Sequence, residues 1–325
     1  MGYSEINFKE NTTVVVTGAA GFIGANLVEA LLKKGVRVRG FDNLSRGLQK
    51  NIDEFINDPN YSFIKGDICD IEACLAVCED VDYVFNQAAL GSVPRSLAQP
   101  LLYVENNIKG TSVMMEAARI AGVKRFVYAS SSSVYGDSPT LPKKEGAEGN
   151  LLSPYSLTKK VDEMYGKLYT EIYGLECIGL RYFNVFGRRQ DPDSQYAAVI
   201  PKFIKALKAG EQVEIYGDGE QSRDFTYIEN VIEANIKACV APKEAAGQAY
   251  NIAFGERFTV NQIYNLMCQL LEINIEPKYL ESRYGDIRHS LADISKAKQK
   301  IGYSPDWDFI RGFKHAVEWY KENLK

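Results

Sequence analysis

The chain has 325 residues, of which 46% are hydrophobic and 25% charged, with 38 Lys and Arg against 42 Asp and Glu. That composition excludes disorder of the whole chain, and a net charge of −4 excludes a polybasic protein that tracks nucleic-acid phosphates. With no apolar run near the ~20 residues of a membrane span and a polar stretch over residues 1–11, the chain reads as soluble and cytoplasmic, with one large domain or two modest ones.

The first half alternates apolar runs with helical stretches. Thr13–Thr17 is a β-branched strand that leads into Gly18-Ala19-Ala20-Gly21-Phe22-Ile23-Gly24, at the head of a helix over 22–34. Glycines at this spacing suit a dinucleotide site. Gly18 permits the tight turn, Gly21 lets backbone approach a pyrophosphate, and Gly24 lets helix and strand pack closely. The free N–H groups of the helix N-terminus, among them those near Phe22 and Ile23, then face the phosphates. A second strand over 36–41 ends at Asp42-Asn43. Asp42 lies 18 residues beyond Gly24, where a carboxylate accepts from the adenosine ribose and repels the extra phosphate of NADP, so NAD is expected. A third strand, Tyr61–Lys65, precedes Asp67-Ile68, which flank the adenine site. A fourth covers 82–86, a helix 100–121, and a fifth strand 125–129. This rhythm implies right-handed crossovers and an α/β fold with a doubly wound parallel (Rossmann) sheet.

Six cysteines (Cys69, Cys74, Cys78, Cys177, Cys239 and Cys268) lack metal-ligand spacing and read as buried, reduced thiols; no metal site is expected. A helix over 155–173 and the strand Glu176–Tyr182 complete the regular part. Beyond it, helices at 199–209 and Val260–Leu271 recur without regular strands between them. Residues 1–182 therefore form the dinucleotide domain, with 225–250 returning to it, and 183–325 form mainly a smaller α/β lobe for substrate.

The chemistry-bearing pair is Tyr155 and Lys159, four residues apart and so on one face of a helix. A phenol titrates near 10, too high for a base at neutral pH; a neighbouring ammonium favours the phenolate. Tyr155 can then accept an alcohol proton while hydride leaves for the cofactor. The run Ser130-Ser131-Ser132-Ser133 at the end of the fifth strand supplies hydroxyls to hold the reacting oxygen.

Together the glycine pattern, Asn86-Gln87-Ala88-Ala89, the serine run with Val134-Tyr135-Gly136, Tyr155/Lys159 and Arg181-Tyr182-Phe183-Asn184 resemble the extended short-chain dehydrogenase/reductase family over nearly the whole chain. Within it the chain is most similar to the UDP-hexose 4-epimerases. The resemblance implies tightly bound NAD and a catalytic set of Ser131, Tyr155 and Lys159. It places Gln87, Ala88, Asn107 and Tyr182 beside the cofactor. It assigns Ser132, Ser133, Asn184, Val199, Tyr216, Arg223, Arg283, Asp286 and Ser290 to the nucleotide sugar, where guanidinium groups suit a diphosphate.

Related dehydratases and decarboxylases carry an acid beside the catalytic serine or threonine. Here those neighbours are Ser132 and Ser133, so epimerisation leads. UDP-glucuronate 4-epimerase is the nearest rival, and a dinucleotide-sensing regulator is the non-enzyme alternative. The resemblance also implies a homodimer through the helices at 100–121 and 155–173, the former being apolar on more than one face. Relatives confined to unacetylated sugars carry a bulky tyrosine where alignment on Ala292-Asp293 places Ser290. The expected substrates are therefore UDP-GlcNAc and UDP-GalNAc, with UDP-Glc and UDP-Gal as further possibilities.

Overall fold

The computed structural model describes residues 2–193, 198–282 and 288–324. Its strands are β1 (Thr13–Thr17), β2 (Arg37–Asp42), β3 (Tyr61–Lys65), β4 (Tyr83–Asn86), β5 (Arg125–Ser131), β6 (Glu176–Tyr182) and β7 (Gln248–Ile252). Among the described residues these form a seven-stranded sheet in the order β7-β6-β5-β4-β1-β2-β3, parallel at every pairing. In β1 the alternate residues Val14 and Val16 enter one core cluster and Val15 the other, and all three are fully buried. A strand covered on both faces has no solvent side, which is why its sequence is an unbroken apolar run.

Helices α1 (Phe22–Leu32) and α6 (Ile228–Val240) pack together on one face, and α2 (Ile71–Cys78), α3 (Gly110–Ile120) and α4 (Pro154–Tyr173) lie on the other. Asp70 caps α2 through the N–H groups of Glu72 and Ala73. Helix α4 begins with a reciprocal box between Ser153 and Ser156 with Pro154 as its first residue, and ends at Gly174 in the left-handed region. Cys74, Cys78, Cys177 and Cys239 are buried free thiols, while Cys69 and Cys268 are partly exposed. Burial pushes the Cys74, Cys78 and Cys177 thiols up to about 12.

The structure departs from the sequence reading at 100–121. That stretch is not one α-helix: Pro100–Tyr103 is α-helical, Val104–Lys109 is a π-helical turn, and α3 follows. Such turns absorb an extra residue at functional places. Here the turn carries Asn107 into the interior, where its amide donates to the Leu90 carbonyl (3.1 Å) and Thr158 Oγ1 (3.0 Å) and accepts from the Leu90 N–H (2.8 Å).

Strand β7 and helix α6 come from the second half of the chain, yet they extend and cover the main sheet. Helix α7 (Val260–Leu271) packs on both α5 (Val199–Lys208) and α8 (Phe309–Asn323), and α8 contributes Phe309 and Phe313 to an aromatic cluster with Phe186 and Phe225. This lobe forms the wall opposite the carboxyl ends of the strands.

Candidate active site

The carboxyl ends of β1 and β4, where the strand order reverses, open onto a cleft of about 1440 Å³. Gly18, Gly21, Phe22, Ile23 and Gly24 line it. Gly18 has φ +65°, and a Cβ there would lie 2.9 Å from the Ala88 nitrogen. A Cβ on Gly24 would stand 2.1 Å from the Gly18 carbonyl oxygen, a distance that no rotamer relieves. Gly21 starts α1 with no side chain capping it, which leaves the first N–H groups of the helix for an anion.

At the end of β2, Asp42 is nine-tenths buried, and its carboxylate accepts from the N–H groups of Ala20 (3.0 Å) and Leu44 (2.7 Å). Burial raises its pKa against the opposing effect of those two donors. Asn43 donates to Asp67 (2.9 Å), and both line the cleft with Ile68. Burial pushes the Asp67 carboxyl up, but the Cys69 N–H and the Asn43 amide outweigh it and hold it low. Tyr182, Gln87 and Asn235 close a three-membered ring of hydrogen bonds, 2.9–3.0 Å each, which fixes Gln87 and Tyr182 in the cleft wall. Beside them, Ala88 donates its N–H to Thr17 Oγ1 (3.1 Å). A cradle that any Cβ would fill, a bare helix N-terminus and a held carboxylate fit a dinucleotide.

The reacting end lies beyond β5. Ser131 Oγ accepts from the Ser133 N–H (3.1 Å) and so opens the short turn Ser132–Tyr135. Ser131, Ser132 and Ser133 line the cleft, and the buried Ser133 hydroxyl has no hydrogen-bond partner among the described residues. Ser130 also borders the cleft, but its hydroxyl is engaged by Glu163, which is paired with Arg181. Tyr155, in the first turn of α4, meets the buried Tyr103 ring edge-on at 6.2 Å, and Tyr103 is pinned by the Ser92 carbonyl (2.7 Å). One turn on, Lys159 Nζ donates to the Ala129 carbonyl (2.9 Å) and to Asp162 (3.2 Å). Tyr155 and Lys159 thus enter the same cleft as the serine run.

Asn184, Arg223 and Ser290 also line the cleft, from the second lobe. Three residues assigned from the sequence do not. Asn107 stands behind the wall and braces Leu90, Val199 packs against the core while its neighbour Ala198 reaches the cleft, and Tyr216 ends a short strand elsewhere. Arg283 and Asp286 lie outside the described residues. The sequence reading passed over the segment from Leu90 to Leu97, which roofs the cleft; Ser92 capping the helix Val93–Ala98, with Pro94 in its first turn, was the available signal. Lys143 and Arg189, both buried in the cleft wall, were missed as well.

A family model described as the NAD dependent epimerase/dehydratase family matches residues 14–253. The structure resembles that of a UDP-N-acetylglucosamine 4-epimerase from Methanobrevibacter ruminantium in complex with UDP-N-acetylmuramic acid (TM-score 0.92, 43% identity, 97% of this chain and 100% of that one). It also resembles a UDP-glucuronic acid 4-epimerase from Bacillus cereus in complex with UDP-glucuronic acid and NAD (TM-score 0.88, 31% identity, 96% and 99%). In sequence the chain is 35% identical, over 94% of its length and 98% of the relative's, to a UDP-glucose 4-epimerase of Mycolicibacterium smegmatis.

Proposed function

The chain belongs to the NAD-dependent epimerase/dehydratase family, as a UDP-sugar 4-epimerase of the extended short-chain dehydrogenase/reductase type, and on that premise we propose that it interconverts UDP-GlcNAc and UDP-GalNAc. The observation that carries the choice of sugar is Ser290, a small side chain in the wall of the cleft that also holds Tyr155 and the serine run. A hydroxymethyl group there leaves room for a C2 acetamido group.

In this reading Gly18, Gly21, Gly24 and Asp42 hold NAD, which supplies a reversible hydride acceptor. Tyr155 removes the proton from the sugar 4-hydroxyl as the carbon is oxidised and returns it after the 4-keto sugar has turned over. Ser131 holds the reacting oxygen and the unpartnered Ser133 hydroxyl takes a second sugar contact. Lys159 favours the phenolate through its charge. No carboxylate flanks Ser131 in the serine run, which supports epimerisation over elimination of water.

One observation favours a uronate instead. The Lys143 ammonium is buried in the cleft wall and donates to the Ser138 carbonyl, with no acid in ion-pair contact among the described residues. Assay of UDP-GlcNAc, UDP-Glc and UDP-glucuronate separately, with resolution of the 4-epimers, tests both readings. Ser290→Tyr is expected to suppress turnover of UDP-GlcNAc and spare UDP-Glc. Equal loss on both sugars marks general disruption and ends Ser290 as the determinant of sugar choice, no loss on either places it outside the pocket, and a wild type inactive on UDP-GlcNAc overturns the proposal.

The protein acts as a cytoplasmic homodimer in this reading. Leu101, 81% exposed, and Val104 belong to segments that pack against α4, whose Leu157, Met164, Leu168 and Ile172 are exposed, whereas Met114, Met115, Ala117 and Ala118 of α3 are buried. That leaves an apolar patch of the kind that pairs.

A further inference from the structure

Lys159 is not the last charged group behind the cleft. Three residues further along α4, Asp162 has a side chain only 1% exposed, and its Oδ2 lies 3.2 Å from Lys159 Nζ, itself 3% exposed. The other carboxylate oxygen, Oδ1, has no partner of good hydrogen-bond geometry among the described residues, the Thr111 hydroxyl being the group that faces the acid. A buried acid so sparsely satisfied is expensive, and an apolar residue of similar size would fold at least as well. Its location therefore calls for a role in the site rather than in the core.

We propose that Asp162 is a positioning and charge-balancing residue for Lys159, setting how strongly the ammonium favours the Tyr155 phenolate and hence the pH at which the enzyme turns on. The inference rests on the reading of Tyr155 as base. Two of the three Nζ donors go to the Ala129 carbonyl and Asp162, which fix the position of the ammonium and leave one N–H for another acceptor. A carboxylate at this range also cancels part of the field that the ammonium exerts on the phenol.

The surroundings isolate that effect. On α4 the neighbouring acid is Glu163, which is engaged by Arg181, Ser130 and Lys160. From β5 the buried Tyr128 faces the pair, its phenol held well above 10 by burial first and then by Glu163, Cys177 and Asp162. From α3 the facing group is the Thr111 hydroxyl, which favours the ionised acid. Burial pushes the Asp162 carboxyl up to about 6 against the pull of Lys159, so the acid is charged at neutral pH.

The test is the pH profile of kcat. Asp162→Asn keeps an oxygen to accept from Nζ but removes the charge. It is expected to move the acid limb down by at least about half a pH unit, because the uncompensated ammonium then favours the phenolate more strongly. Asp162→Ala removes the acceptor as well, and is expected to add a roughly tenfold loss of plateau kcat with KM unmoved. Asp162→Thr, small and neutral, substitutes for either variant that fails to fold. An acid limb that stays within a tenth of a unit of wild type in the folded neutral variants overturns the inference. Tyr155→Phe separates the two readings: if it is inactive while the Asp162 variants keep the wild-type limb, only this inference fails. If Tyr155→Phe itself turns over normally, the base assignment fails with it.

Discussion

Replacing Asp42 by alanine is expected to do two separable things. The largely buried carboxylate accepts two backbone N–H groups at 3.0 and 2.7 Å, and alanine removes both acceptors. Each unsatisfied buried donor costs about 1–3 kcal/mol. Because Asp42 lines an open cleft, water recovers part of this, and a net loss of about 2–4 kcal/mol in the cofactor-free protein is the expectation. For a chain of 325 residues that corresponds to a fall of roughly 3–6 °C in the unfolding midpoint. The second effect concerns cofactor choice. At an effective dielectric of about 20, like charges about 4 Å apart repel by about 4 kcal/mol, and solvent screening leaves at least about 1.4 kcal/mol, a factor of ten. The NAD-to-NADP affinity ratio should therefore fall at least tenfold in Asp42→Ala. Calorimetric titration of cofactor-free protein well below the lowered midpoint measures it. An unchanged ratio, or a wild type that binds NADP as well as NAD, refutes the placement of Asp42 at the ribose.

Tyr155→Phe should lower turnover by at least ~10² and leave the melting midpoint near wild type, because the ring still packs against Tyr103; stopped-time assays and a thermal melt check both. Leu101→Asp, in the exposed apolar patch, should convert a micromolar dimer to monomer in sedimentation, and a wild type that sediments as a monomer ends the dimer reading. Asp224 is fully buried, and burial pushes it up to about 7 despite the N–H groups of Ala292 and Gly255. The unfolded chain loses that proton near 4, so the native state binds the extra proton between about pH 4 and 7 and loses stability as pH rises through that window. In urea titrations the wild type should lose ground to Asp224→Asn between pH 5 and 7.5, and parallel curves contradict it.

The elements most legible in the sequence were those whose residues serve one purpose. β1 is an apolar run because both its faces are covered, and the glycines at 18 and 24 announce a turn with no room for a side chain. Elements with a double task were hidden. β7 is built on Asn251, buried and hydrogen-bonded to Tyr135, Lys143 and Asp293, so its periodicity looks polar. The π turn at Val104–Lys109 leaves no local signature, since what it achieves is the reach of Asn107 to Leu90, seventeen residues earlier. Of the site, the residues with unusual chemistry stood out: Tyr155, Lys159 and Asp42. The cleft roof from Leu90 and the buried Asp162 did not, because a small loop residue and a helical acid look ordinary until their neighbours are known.

The strand order has a consequence in time. β6 ends at Tyr182, and its outer neighbour β7 ends at Ile252, roughly 70 residues later in synthesis. At about 5–20 residues per second, the ribosome takes some 4–14 seconds to deliver it. For that interval β6 is the open edge of a parallel sheet, with unpaired N–H and C=O groups available to any other nascent chain. The strand that covers the β6 edge is also the one that carries Asn251 to Tyr135 beside the serine run, so that edge and this part of the site are completed by the same late event.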